Sequence, residues 1–475
     1  MLGKVLRHEW RVLRTDGATW ILIVVFAAAM LYAAFGGRGF GDGQRKNLNV
    51  DAAQRSRVLD SLKAVAEKET AKLVSEKKPL EPPAWGVRHP YLANFQGAVR
   101  ATLPPAPLAA FAAGQSEVQQ QSYTIRLAYD SFSDDPELQS PMALLSGRFD
   151  LAFVMVYLFP LLILALGFNM LSLEKEEGTL ALLLSQPVTL GEVVLGKIMM
   201  RGAVLFAATV VLTVGAYWVA GIEGGGTELL IWIAASLLYG AFWFALAALV
   251  SAYGKSSATN ALILAGCWLG FVVIVPSLLG AAVSAAYPLP SRVEYISAVR
   301  GAGAAAEARN AKRMEKFYFD HPELAKDSAA KQEDFAIEFM LSQQDLMQSL
   351  KPVEARFKQQ LAGQRESVNQ FQFFSPAVMM QTALQTLAGT GAERHQRFTN
   401  QVEAFYGAWW NFFEPRIFRR AAFTEYDALP KFVYQDEPVS ERLGRMSLSG
   451  AVLLLLGIGI SGWAATRLAR FAISE

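Results

Sequence analysis

The chain has 475 residues, of which 53% are hydrophobic and only 18% charged, with a mean hydropathy of +0.25. This balance excludes an ordinary soluble globular protein and places much of the chain in a membrane. A formal net charge of +2, one cysteine (Cys267) and no basic stripe with interleaved aromatics exclude an intrachain disulfide and give no sign of a nucleic-acid partner.

Six apolar runs approach or exceed the roughly 20 residues that a helix needs to cross a bilayer: 18–35, 150–171, 199–221, 228–251, 259–286 and 447–466. They predict an all-α polytopic membrane protein with six transmembrane helices. Before the first run, Lys4 to Arg14 forms a basic, amphipathic stretch suited to a helix in the membrane interface. A basic start followed by an apolar run also suits a cleaved signal peptide. This run, however, exceeds the roughly 7 to 15 residues of a signal core and carries Trp20, Tyr32 and Phe35 toward its ends, as anchored spans do. Residues 1–35 therefore read as an interfacial helix and the first span.

Residues 36–149 form the first long polar segment. A helix-favouring stretch over 50–76 carries Leu59, Leu62, Val65 and Leu73 as a narrow apolar stripe. The Pro-rich residues 79–107 should break regular helix, and the partly alternating 122–129 predicts a strand. Residues 150–286 then hold spans two to five. The second polar segment, 287–446, reads as mostly helical: Phe335, Phe339, Leu346, Leu350, Val353, Phe357, Leu361 and Val368 share one face of a long helix that Pro352 should bend or split. A further helix over 393–413 carries Phe405, Trp409, Trp410 and Phe413. These rings are either domain core or a candidate binding surface for an amphipathic substrate or the membrane interface. Residues 447–475 supply the last span and a tail.

Orientation follows from the short connections, because long domains translocate largely regardless of charge. On the side of the N-terminus, Lys4, Arg7, Arg11, Arg14, Lys175, Lys197, Arg201, Lys255, Arg467 and Arg470 collect, whereas the short loop 222–228 on the other side has no Lys or Arg. Both termini and residues 174–197 are thus expected in the cytoplasm and both long polar segments outside, together forming a mostly helical extracytoplasmic domain built from two insertions.

Sites for chemistry are few. Gly254, Lys255 and Ser256 resemble the end of a phosphate-binding loop, but Leu249 stands where that motif needs glycine and the triplet lies in a turn between spans. With no other such motif, the chain is expected to bind no cofactor and to hydrolyse no ATP unaided. His8, His89, His321 and His395 lack ligand spacing, and the pairs Met199–Met200 and Met379–Met380 fall on opposite sides of the expected membrane, so no metal site is expected. The spans contain almost no ionisable residues away from their ends, which argues against a proton or ion pathway.

What remains is 174–197, EKEEGTLALLLSQPVTLGEVVLGK, between spans two and three. Its acidic start closes the second span, Gly178 and Thr179 allow a turn, and Leu180, Leu182, Leu183 and Leu184 make an apolar patch rimmed by charge, the character of a docking surface. Gln186 and Pro187 stop the helix, and Thr189 with Glu192 has the spacing of a capping box that starts the next.

Glu174, Glu176, Gly178, Thr179, Leu180, Leu183, Leu184, Pro187, Gly196 and Lys197 resemble the signature of type-2 ABC transporter permeases, in which a similar acidic, Gly-Thr-Leu, Pro and Gly-Lys series joins the second and third spans. Residues 146–162 and 387–418 resemble a bacterial subgroup with large outer domains. The resemblance implies a permease subunit of the bacterial inner membrane that pairs with a second permease copy or paralogue. ATP and Mg would be held by two copies of a separate ABC ATPase. It assigns coupling to these residues and to Glu192, and implies export of an amphipathic, peptide- or lipid-like substrate. A second expectation is a mechanical relay or scaffold acting on an envelope protein, as in relatives concerned with copper-enzyme maturation and gliding motility. Members that move polysaccharide or drugs have short outer loops, unlike this chain.

Overall fold

The computed structural model describes residues 2–80, 85–117, 119–128, 149–180, 185, 189–288, 292–322 and 331–470. Helix α1 (Leu2–Thr15) stops at Asp16, whose carboxylate caps the next helix by accepting from Ala18 N (3.1 Å) and the Thr19 hydroxyl (2.6 Å). That helix, α2 (Gly17–Ser75), continues for 59 residues, about 88 Å. The first span and the polar helix expected over 50–76 are therefore one element. The glycines at 36, 37, 39, 41 and 43 weaken helix without forbidding it. One of them is needed for packing, since a Cβ on Gly37 would lie 1.8 Å from the Ala110 carbonyl oxygen. Further along, α2 is tied by Gln44 to Gln121 (2.8 Å) and by Asp51 to Arg100 (3.1 Å).

The Pro-rich stretch is not wholly irregular. Pro90 opens a short helix, α3 (Pro90–Gln96), at a position where its missing N–H costs nothing. Strand β1 (Val99–Thr102) then pairs antiparallel with β2 (Ser122–Ile125), Val99 facing Ile125. The strand expected over 122–129 is thus shorter, and Tyr129 lies outside the described residues.

Helices α4 (Leu151–Glu176), α5 (Leu190–Val219), α6 (Gly226–Ser251) and α7 (Ser257–Ala286) follow. After them come α8 (Arg292–Ala308), α9 (Asn310–Asp320), α10 (Lys331–Phe371), α11 (Pro376–Ala388), α12 (Ala392–Phe418) and α13 (Val439–Ala469). Among the described residues, α2, α4 to α7 and α13 make six helices long and apolar enough to cross a membrane, so the chain is an all-α multi-pass membrane protein. Pro352 does not split α10. Pro352 and Gln348 are both exposed, so water can take the carbonyl that the missing N–H frees.

Two spans are widened by π-turns, Val154–Leu158 in α4 and Leu269–Ile274 in α7, and each is closely followed by a proline, Pro160 or Pro276. Proline supplies no N–H to the preceding turn, and the carbonyls there find side chains instead. Tyr239 OH donates to Val156 O (3.1 Å), Trp268 Nε1 to Tyr157 O (3.2 Å) and Ser375 Oγ to Phe271 O (2.6 Å). Ser375 belongs to the second polar segment, so that segment reaches into the bundle. Helix α11 does the same, burying Ala377, Met379, Met380, Leu384 and Leu387 in one core with the spans. From the first polar segment, Leu108, Phe111 and Ala112 join that core, with the Phe111 ring on Trp232 at 5.2 Å.

A second core lies in the large domain beyond this end of the bundle. Its centre is Asn94, fully buried, whose side-chain oxygen accepts from Leu127 N and Trp409 Nε1, both at 2.8 Å. Charged residues join the domain to the spans. Arg394 donates to Asp436 (2.8 Å) and Pro104 O (3.0 Å), and the buried Arg442 of α13 pairs with the buried Glu228 of α6 at 3.3 Å. Burial alone would raise the Asp436 carboxyl, but the hydrogen bonds and charge of Arg394 hold it below the usual carboxylate range.

Two stability predictions follow from these contacts. Gly37→Ala should destabilise the solubilised chain by ~1–3 kcal/mol through overpacking against Ala110, whereas Gly39→Ala, with open space around its Cβ, should add ~0.5–1 kcal/mol. Thermal unfolding of both variants checks the contrast.

The second concerns pH. Burial pushes the His89 imidazole down from 6.5 to about 4, and burial together with the Arg365 charge does the same to His395. Between these values the unfolded chain binds more protons than the fold, so stability falls as pH is lowered through this window, by up to ~1.4 kcal/mol per pH unit for each histidine. The loss levels off below the folded value and is absent above the unfolded one. His89→Asn, which keeps an acceptor for Tyr91 N, combined with His395→Gln should flatten the dependence. Denaturant titrations at a series of pH values measure it, and an unchanged slope would contradict this account.

Candidate functional site

The last turn of α4 holds Ser172 to Glu176, and Gly178 then turns the chain with φ at +71°, a conformation that favours glycine. Thr179 Oγ1 donates to Glu174 O across that turn (3.3 Å). Leu180 does not face outward. It is buried among Leu171, Leu190, Val194, Leu249, Ala464 and Leu468, so it anchors the segment to α5, α6 and α13. Leu183, Leu184 and Pro187, together with Leu182 and Gln186, lie outside the described residues. At the start of α5 the capping box is present: Glu192 N donates to Thr189 Oγ1 (3.2 Å) and Thr189 N to Glu192 Oε2 (2.9 Å).

Lys197 and Arg201 stand one turn apart on one flank of α5. The Lys197 ammonium pairs with the Glu174 carboxylate, and Glu9 of α1 lies 3.7 Å from both Lys197 Nζ and Arg201 Nε. Arg201 also donates to Leu166 O and to Asn169 Oδ1 (3.0 Å), near the end of α4. Lys197 and Glu9 are 3% exposed and Arg201 8%, so these charges are largely withdrawn from water. Two carboxylates and two cations neutralise one another, which is the condition for burial.

Sequence reasoning missed Glu9. The signal was there: Val5, Leu6 and Leu13 make the apolar stripe of α1, and Glu9 sits in its middle, where an unpaired carboxylate would be costly.

The adjoining turn is held just as firmly. Glu176 accepts from Ser257 N (2.7 Å) and Ser257 Oγ (2.9 Å), a carboxylate placed at the start of α7, where the helix dipole favours it. Lys175 Nζ donates to Gly254 O (3.1 Å), the Ser172 and Ser257 hydroxyls lie 2.8 Å apart, and Asn260 donates to Phe168 O (3.3 Å). The triplet Gly254, Lys255 and Ser256 thus lies in the turn that receives the end of α4. On its other side, the Arg467 guanidinium of α13 stacks 4.9 Å from the Tyr253 ring centre. Helices α1, α4, α5, α7 and α13 all meet at this junction.

The aromatic run of α12 does not make a surface. Trp409 and Phe413 are fully buried, Trp410 nearly so, and Phe405 is half-buried against Phe432 at 5.5 Å. The candidate binding surface at Phe405, Trp409, Trp410 and Phe413 is therefore corrected to domain core. These rings pack on Phe412, Phe423 and Tyr426, and the one indole N–H of Trp409 is satisfied internally. No cluster of His, Cys, Asp and Glu suited to a metal ion occurs among the described residues.

Ion pairs and hydrogen bonds thus gather the ends of several spans at one end of a multi-pass membrane protein. The sequence profile of the ABC-2 family transporter proteins matches residues 4–459, nearly the whole chain, and the chain belongs to that family. A search of curated proteins gives no match.

Removing one member of the buried cluster should be expensive, because the partners stay buried without compensation. Glu9→Ala is expected to cost ~3–5 kcal/mol, against less than ~0.5 kcal/mol for the exposed Glu177→Ala. In the double variant Glu9→Ala/Lys197→Ala part of the loss should return. Thermal denaturation of the wild type, Glu9→Ala, Lys197→Ala and the double variant forms the required cycle, with Glu177→Ala as the exposed control.

Proposed function

We propose that the chain is the membrane-spanning permease subunit of an ATP-driven exporter in the bacterial inner membrane, and that residues 174–197 receive the motion of a separate ABC ATPase on the cytoplasmic side. The observation that carries this reading is the buried cluster of Glu9, Glu174, Lys197 and Arg201, joined to α7 through Glu176. Breaking such a cluster costs several kcal/mol, so a push on the exposed turn at Glu176, Gly178 and Thr179 moves the ends of α1, α4, α5 and α7 together instead of bending the loop. The ATPase, in two copies, would bind the ATP and Mg. A second permease copy or paralogue would complete the membrane part, and α7, most of whose apolar stretch is uncovered, offers surface to such a copy or to lipid.

The exported substrate in this reading is amphipathic, peptide- or lipid-like. A second reading rests on α2, which runs unbroken from span into domain. Such a strut suits a relay that carries ATP-driven motion to an envelope protein outside.

The test uses the chain reconstituted with its cognate ATPase. Glu174→Gln/Leu183→Ala should retain its spans and lose at least about tenfold of ATPase turnover, ~1.4 kcal/mol in barrier, or lose the ATPase on purification. Normal turnover and normal co-purification would sink the coupling assignment. With the intact complex, substrate-stimulated turnover and accumulation in vesicles favour export, while stimulation only by an outer protein favours the relay.

A further inference from the structure

We propose that the outward face of α1 binds the headgroups of anionic phospholipids, in the leaflet adjoining the Glu9 cluster. Lys4, Arg7, Arg11 and Arg14 recur at spacings of three and four, which lays four positive charges along one face of the helix. All four are exposed, and none of them has a carboxylate partner among the described residues.

The opposite face is fixed. Glu9 and Leu13 are buried, Glu9 against Lys197 and Arg201 on the flank of α5. At the end of α1, Trp20 Nε1 of α2 donates to Leu13 O (3.1 Å), a second contact that holds the basic face outward. Contact with the flank of α5 leaves the basic face turned away from the bundle, a few residues before the apolar run of α2 begins.

Two flanking residues decide between lipid and an acidic protein as the occupant. Trp10 and Val12 lie on either side of the basic arc and are 43% and 42% exposed. On α2, which starts two residues after α1 ends, Ile21, Val24 and Val25 are at least 60% exposed, a surface for acyl chains. Basic residues bordered by an exposed indole and a branched aliphatic side chain match the boundary between headgroup and acyl chain, where charge and apolar surface are satisfied by the same molecule. A soluble acidic protein would satisfy only the charge. Each Lys or Arg near an anionic lipid surface contributes about fivefold to binding, so four together far exceed what a zwitterionic lipid can match.

The experiment takes the full-length chain in detergent, supplies equal amounts of phosphatidylglycerol and phosphatidylcholine with the same acyl chains, and counts retained lipids by native mass spectrometry. The wild-type chain should retain phosphatidylglycerol at least about tenfold over phosphatidylcholine. Lys4→Gln/Arg7→Gln/Arg11→Gln/Arg14→Gln should bring the ratio close to unity, whereas Arg7→Lys/Arg11→Lys/Arg14→Lys should preserve it. No preference in the wild type, or the same preference in the neutralised variant, overturns the proposal. So does a neutralised variant that keeps its lipid preference but loses a co-purifying ATPase, since the face would then belong to that protein. Should the neutralised chain fail to insert, amide exchange of residues 2–15 in wild-type nanodiscs decides. Slower exchange in phosphatidylglycerol than in phosphatidylcholine is expected, and equal exchange overturns the proposal.

Discussion

Lys197 stands between Glu174 and Glu9 with almost no access to water, and much of the rest of the fold depends on that placement. A buried ammonium is tolerable only while its carboxylates stay with it, so α1, α4 and α5 are held as one body. Arg201, one turn on, extends the constraint to the carbonyl of Leu166 and makes the cluster neutral. Glu176 then fastens α7 through the backbone N–H of Ser257. Hydrophobic packing around Leu180 adds bulk, but packing is non-directional and would tolerate sliding. Ion pairs and hydrogen bonds at named atoms set the register.

The opposite end of the bundle is organised by backbone proximity and by carbonyls that proline leaves free. Gly37 lets the segment around Ala110 rest on α2, and Ser375 caps the widened turn of α7 from outside the span. The large domain is therefore not tethered by flexible linkers alone. Its helix α11 shares a core with the spans, and Arg442 with Glu228 and Arg394 with Asp436 pin the remainder. Displacement of α4 or α7 at one end has a continuous path of packed and hydrogen-bonded groups to the domain at the other, with two π-turns on the way.

By itself, the sequence determined what depends on composition and near neighbours. Six apolar runs of bilayer length require helices, because no water is present to satisfy backbone groups otherwise. The capping box of Thr189 and Glu192 and the turn at Gly178 were legible because their partners lie within a few residues. The motif from Glu174 to Lys197 was legible as a unit, and its family followed from it. Pro352 does not split its helix and α2 runs on through the glycines after residue 35, since propensity is a weak term that exposure or packing overrides. The aromatic run of α12 was ambiguous for a related reason: periodicity shows which residues share a face, not whether another element covers it.

Only the tertiary structure decided who meets whom. That Glu9 answers Lys197 and Arg201, that Glu176 caps α7, and that α11 and the segment around Phe111 enter the bundle are all pairings across long separations in the chain. Each is selected by the cost of leaving a buried charge, carbonyl or apolar surface unmatched, and no local pattern encodes the distance at which the match will be found.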